Sequence, residues 1–241
     1  MSTQLIPIVQ TLCLVPSLGK VNSVQLTDMA TQSQLRQLED GEFLYLKDQP
    51  VDHLVIVHKG RLEMSSANAS GRRFVMSYLE MGGVVGLLSM LDDFGSNHDV
   101  RSVGASSVVM LPKTVLLKCA TDNAELMQGM VRQLCMRVRQ LNDDLVVQNL
   151  YTTAQRLVEK LLWLTTAHGH GFKDTARRPR ITLSQLDLCD MLSLSRQTLS
   201  TELKKLESAG FIRVNYANIE VRDFNGLEAL LKGSISARSS E

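Results

Sequence analysis

The pattern of apolar and polar residues changes texture three times along the chain. In residues 1–40 an apolar stretch, Leu5–Leu18, is interrupted by Pro7 and Pro16, and a Gln/Thr/Ser-rich stretch follows from Asn22 to Gln37. Short helices are expected there. From Gly41 onward the pattern is of short β-type runs at Phe43–Leu46, His53–His58, Arg61–Ser65 and Arg72–Leu79. Turn residues at Asp48–Pro50, Lys59–Gly60, Ala67–Gly71 and Gly82–Gly83 punctuate them. Val100–Leu111 is a further strand-rich stretch. Short strands at spacings of about ten residues predict a sandwich or barrel.

From Asp122 the period becomes helical. Met127, Val131, Leu134, Val138, Leu141 and Leu145 follow one another at alternating steps of four and three, an a/d seam over about three heptads. Such a seam either joins two copies of the chain or packs on its own domain, and the compact β unit before it favours self-association. A break near Asn149–Thr152 precedes a second helix, capped by Thr152 or Thr153 and running to about Thr166 with Leu157, Leu161, Leu162 and Leu164 as its stripe. A basic loop, including Lys173, Arg177, Arg178 and Arg180, comes next. His168 and His170 in that loop have no acidic or cysteine partner at ligand spacing and read as solvated.

The segment "ITLSQLDLCDMLSLSRQTLSTELKKLESAGFIRVNYANIEVRD" carries the strongest signal. Ser184 can cap a short helix, Gln185–Leu192. "SLS" makes a tight turn, and a second helix starts at Ser195 with Leu199, Leu203 and Leu206 facing inward. Its outer face carries Arg196, Gln197, Ser200, Thr201 and Lys204. Two short helices joined by a tight turn form a helix-turn-helix. Beyond Gly210, Ile212–Val214 and Ile219–Val221 flank "NYAN" as a hairpin, the wing of a winged helix. In this layout the second helix enters the major groove. Arg196 can give two donors to guanine O6 and N7, and Gln197 can pair with adenine or accept from cytosine. Ser184, Gln185 and Ser195 sit at helix N-termini, where phosphates are favoured.

Overall charge does not announce this. The 241 residues hold 26 Lys/Arg and 25 Asp/Glu, but residues 1–150 carry 13 against 15 and residues 151–241 carry 13 against 10. The basic surplus lies with the helix-turn-helix. Four widely spaced cysteines, Cys13, Cys119, Cys135 and Cys189, form no C-x-x-C pair, so zinc-ribbon and thioredoxin-type sites are not expected. Leu5–Leu18 has no preceding Lys or Arg and no clear cleavage site, and no run reaches the roughly 18 apolar residues of a membrane span, so a soluble cytoplasmic protein is expected. No nucleophile motif, phosphate loop or metal spacing points to an enzyme.

Two segments, "LSLSRQTLSTELKKLESAGFI" and "GEFLYLKDQPVDHLVIVHKGRLEM", resemble the recognition helix and the cyclic-nucleotide-binding β-roll of the cyclic AMP receptor protein/FNR (CRP/FNR) superfamily of bacterial transcription regulators. The likeness spans about residues 35–225. It implies an α+β fold: an N-terminal β-roll (jelly roll) over 1–120, a dimerisation helix over 121–150, and a winged helix-turn-helix over 151–241. It places Arg196, Gln197 and Thr201 where the family reads bases. Members commonly have Glu at the place of Gln197 and often Arg at that of Thr201, so the half-site is expected to differ. Gly is usual in the turn where this chain has Ser193, and a small residue is usual at the place of Cys189, read here as buried or else as a redox switch.

The resemblance also identifies an effector pocket, with Gly86, Leu87, Leu88, Asn97 and Arg101 in its frame. Leu87 falls where nucleotide-binding members place a ribose-binding Glu, and Asn97 where they place a phosphate-binding Arg. Arg101 could substitute only if the loop shifts. Leu141 stands about where a polar contact to the base is expected. Cyclic AMP is therefore argued against. An iron–sulfur cluster is argued against because only Cys13 lies near the N-terminus. His53, His58 and His98 are the candidate haem ligands and read better as structural. The expected partners are double-stranded DNA and a second copy of the chain, with RNA polymerase a further candidate. The alternative is a ligand-sensing module whose helices engage a protein.

Overall fold

The computed structural model describes residues 2–69, 71, 73–167, 180–181, 183–215 and 218–236. They form two compact units, Met1–Gln140 and Leu141–Glu241.

The first unit opens with α1 (Ser2–Cys13), a 3-10 turn at Leu18–Lys20 and α2 (Ser23–Gln32). Asn22 caps α2 by accepting from the Gln25 N–H at 2.9 Å. The apolar stretch Leu5–Leu18, the one segment with signal-peptide character, is spent on the core: Ile8, Leu12, Val15 and Leu18 are buried against the sheet residues. The strands are β1 (Gln34–Leu38), β2 (Phe43–Tyr45), β3 (His53–Ala67), β4 (Arg73–Leu79), β5 (Val84–Val85) and β6 (Asp99–Pro112), with α3 (Leu87–Asp92) between the last two. All pairings are antiparallel in the order β1-β6-β3-β4, with β2 on β6 and β5 on β3.

The expected turn at Lys59–Gly60 is a correction. β3 continues through it as one strand, and its register on β6 shifts on both sides of Lys59. Gly60 has φ +83°, and a Cβ there would collide with Ser106, whose hydroxyl accepts from the Arg61 N–H at 3.1 Å. Glycine with positive φ inside a strand bends it as a bulge and does not end it. After β6, α4 (Lys113–Asp122) extends the helical region upstream of the expected start, and α5 (Ala124–Leu150) follows.

The second unit comprises α6 (Thr153–Ala167), β7 (Arg180–Ile181), α7 (Gln185–Leu192), α8 (Arg196–Ser208), β8 (Ile212–Asn215), β9 (Asn218–Val221) and α9 (Phe224–Ser236). Thr152 and Gln155 cap α6 reciprocally: the Thr152 N–H donates to Gln155 Oε1 at 2.8 Å, and the Gln155 N–H to Thr152 Oγ1 at 3.3 Å. Leu157, Leu161 and Leu164 are buried in the predicted stripe. The hairpin β8–β9 forms as expected and gains β7, which sequence did not reveal, in the order β7-β9-β8. The basic-loop residues Lys173, Arg177 and Arg178, and His168 and His170, lie outside the described residues.

Candidate nucleic-acid interface

α7 and α8 follow from local rules. Ser184 Oγ accepts from the Asp187 N–H at 3.1 Å while Asp187 Oδ2 accepts from the Ser184 N–H at 2.9 Å, a complete capping box. Leu188, Met191 and Leu192 are buried. The helix stops at Ser193, which sits in the left-handed region at φ 55°, ψ 39°. Its N–H and that of Leu194 both reach the Cys189 carbonyl. A β-carbon in this conformation costs about 1–2 kcal/mol, partly offset by the smaller unfolded-state entropy of Ser. Ser193→Gly is expected to raise stability by about 0.5–1 kcal/mol in urea unfolding, without changing DNA affinity.

Ser195 caps α8, its Oγ accepting from the Thr198 N–H at 3.1 Å. Leu199, Leu203 and Leu206 are buried beneath the helix. The opposite side presents Arg196, Gln197, Thr201 and Lys204, all exposed, with Ser200 half-buried beside them. Neither Arg196 nor Lys204 forms an ion pair among the described residues, whereas Lys205 is held by Glu202 at 2.8 Å. Thr201 Oγ1 donates to the Gln197 carbonyl at 3.0 Å while the residue remains exposed. Ser184, Gln185 and Ser195 are likewise exposed, so every predicted DNA-contacting residue except Ser200 is fully on the surface.

Two positioning residues escaped sequence reading. Arg156 of α6 donates from Nη2 to the Leu192 carbonyl at 2.7 Å and satisfies the C-terminal end of α7. Glu207 at the end of α8 accepts from the Val214 N–H at 2.8 Å and pins β8 to the recognition helix. Neither gave a signal in the sequence: Arg156 shares α6 with Glu159 and Lys160, and Glu207 follows other charged residues on α8. Cys189 is buried, 5% exposed. Burial, and then Asp190, push its thiol pKa up, which opposes the thiolate a redox switch would need.

The long helix α5 divides its seam. Met127 and Leu134, expected at an interface, are instead partly buried against their own core, which Leu126 and Met130 also enter. Val131, Val138, Leu141 and Leu145 remain exposed at 49%, 55%, 54% and 57%. Together they leave an uncovered apolar row on the helix.

The residues of the expected effector pocket differ widely in exposure. Gly86, φ +93°, caps α3 where a Cβ would press into the His53 carbonyl at 2.8 Å and Val51 at 2.9 Å. Leu87 is buried in the core, Leu88 is 44% exposed, and Asn97 is exposed. Arg101 is a correction. It pairs across β3–β6 with Glu63, while its neighbour Val100 pairs with Met64, so the strand alternation puts Arg101 on the other face from the Met64–Val100 pair of the core. There it grips the Glu63 carboxylate with two donors, both at 3.1 Å, and Arg73 adds a third at 2.7 Å. In this arrangement its guanidinium is committed to Glu63. Among the described residues no helix is long and apolar enough to cross a membrane.

Comparison with known proteins agrees with this architecture. Residues 35–123 match the cyclic nucleotide-binding domain family and residues 155–230 the Crp-like helix-turn-helix domain family. The chain is 25% identical over 215 residues to the transcriptional regulatory protein btr of Bordetella pertussis, covering 87% of this chain and 86% of that protein. It is 21% identical over 183 residues to a CRP-like cAMP-activated global transcriptional regulator of Mycobacterium tuberculosis, covering 76% and 81%. The structure of FixK2 from Bradyrhizobium japonicum superposes with a TM-score of 0.70 at 19% identity, covering 82% of this chain and 96% of that one. A β-roll followed by a long helix and a helix-turn-helix with an exposed basic recognition face, matched at both ends by these families, places the chain in the CRP/FNR superfamily, whose members are transcription regulators and not enzymes.

Proposed function

We propose that the protein is a homodimeric regulator that binds a near-palindromic DNA site in the cytoplasm and does not respond to cyclic AMP. The observation that carries DNA recognition is the outward row Arg196, Gln197, Thr201 and Lys204 on a helix backed by three buried leucines. Such a row is rigid, reaches base edges from its N-terminal end and carries charge that no neighbour among the described residues neutralises. The uncovered row on α5 supports a twofold pair, which would set two recognition helices about one helical turn apart. Against cyclic AMP stand Leu87 in the core and Arg101 committed to Glu63, which leave neither a carboxylate nor a guanidinium at the expected places. Addition of cyclic AMP is expected to leave DNA affinity unchanged in fluorescence anisotropy; an increase of tenfold or more would sink this part. Contact with RNA polymerase belongs to the same reading.

Two substitutions separate base reading from charge. Arg196→Ala should cost about 1–3 kcal/mol per half-site on the preferred sequence and relax discrimination at one base pair. Lys204→Ala should weaken all sequences alike and lower the salt slope by about one phosphate per half-site. Anisotropy titrations across salt concentrations read both. If the helices engaged a protein instead, affinity for DNA would stay weak and non-specific, and neither substitution would alter discrimination.

A further inference from the structure

A helix can give to a partner only the side that its own chain leaves open. At about 100° per residue along α5, Val131, Cys135, Val138, Asn142, Leu145 and Asn149 fall within an arc of about 80°, and all six are exposed. Leu134 lies roughly 60° off the centre of that arc, with Leu126 and Met130 further round. These three meet the chain's own core. The six exposed residues follow one another at steps of four and three, a second a/d line displaced from the one read in the sequence. Val131, Val138 and Leu145 occupy its d layers, and Cys135, Asn142 and Asn149 its a layers. Leu141 and Val146, 54% and 49% exposed, lie on either side of it. Asn149 Nδ2 is turned back along its own helix, donating to the Leu145 carbonyl at 2.8 Å. Asn142 makes no side-chain hydrogen bond among the described residues.

We infer that two copies of α5 pair in parallel along the line from Val131 to Asn149, and that Asn142, meeting its own counterpart on the axis, selects a second copy in register as the partner. The inference rests on the dimer of the proposed function and adds the face of the helix and the residue that chooses the partner. The pair is parallel because both C-terminal units must reach one duplex. The Asn142 amide carries both donor and acceptor, so on a twofold axis it is its own complement. A partner with an apolar residue at this level would bury the amide unpaired. A single polar a position of this kind fixes register and strand number in a helix pair, at some cost in stability.

Cys135 reports the line of pairing in the full chain. Helix axes about 10 Å apart leave opposed residues of the line roughly 5–6 Å apart at Cα, within the span of a disulfide. Cys189 is buried and Cys119 half-buried, so Cys13→Ser leaves Cys135 as the exposed thiol. Diamide takes two electrons and two protons from a facing pair of Cys135 thiols and leaves one S–S bond. Most of the Cys13→Ser chain should then run as a covalent dimer on non-reducing gels. Moving the thiol one position round the helix, with Cys135→Ser and Met136→Cys, should lower the yield about tenfold. Next, Cys13→Ser chains with and without Asn142→Val are mixed in a thiol–disulfide buffer until covalent pairs equilibrate. Chance makes about half of the pairs mixed, whereas selection by Asn142 should leave about a fifth or less. A parent chain that sediments as a monomer overturns the dimer reading and this inference together. A dimeric parent in which Cys135 crosslinks no better than Met136→Cys overturns the line of pairing alone. Mixed pairs at the chance level overturn the role of Asn142.

Discussion

A chain carrying Leu141→Glu and Leu145→Glu is expected to sediment as a monomer and to lose about 10²–10⁴-fold in affinity for its DNA site. Both leucines are more than half exposed on α5, so neither supports the fold of the single chain. Buried in a twofold helix pair, each would contribute on the order of 1.5–3 kcal/mol. Replaced by Glu, each would instead set two carboxylates facing one another across the axis. The loss in DNA affinity follows because the second half-site is then bound as a separate molecule and no longer at the high effective concentration of a linked pair. Leu134 is unsuited to this experiment, since it packs on its own core and its loss would confound folding with assembly. Dimers of undiminished affinity, seen by analytical ultracentrifugation and anisotropy on the same preparation, would remove the seam from the account.

Glu63→Ala is expected to destabilise the first unit by about 2–4 kcal/mol, a fall of roughly 6–12 °C in its melting temperature. Glu63 is 1% exposed, and its carboxylate is shared by Arg73 and Arg101. Removing it takes the shared carboxylate from two guanidinium groups that lie side by side against a sheet face. The arginine side chains are 29% and 31% exposed, so water tempers the penalty toward the lower end. Arg73→Ala removes one donor and leaves the bidentate pair with Arg101, so it should cost markedly less. Calorimetric melting of the three proteins checks the order. Equal stability of Glu63→Ala and the parent would mean that the cluster is a surface ornament.

The helix-turn-helix was legible because its determinants are local. Ser184, Asp187 and Ser195 specify helix starts by residue type at fixed spacing, and Leu199, Leu203 and Leu206 specify the buried side. The β-roll was legible as strands but not as pairings. Nothing in "VHKGRLE" distinguishes a hairpin turn from a bulge, since both want a glycine at positive φ, and only the partner strand with Ser106 decides. The same limit explains Arg101: its sequence position lay near the expected pocket, but its face is set by register on β3. The heptad seam was half legible. Periodicity identified the apolar residues of α5, while which of them meet the chain's own core depends on where the β-roll lies against the helix, sending Met127 and Leu134 inward.

Whole-chain charge misdirected for a related reason. Balance over 241 residues hides a row of Arg196 and Lys204 that no acid among the described residues neutralises, and a chain-wide sum cannot report where charges point.

The most direct test of the central claim is selection of duplexes from a random pool by the purified protein. A near-palindrome with half-sites about one helical turn apart should be enriched, and its preference at one base pair per half-site should disappear with Arg196→Ala. No enriched motif, or a motif that Arg196→Ala leaves intact, would contradict it.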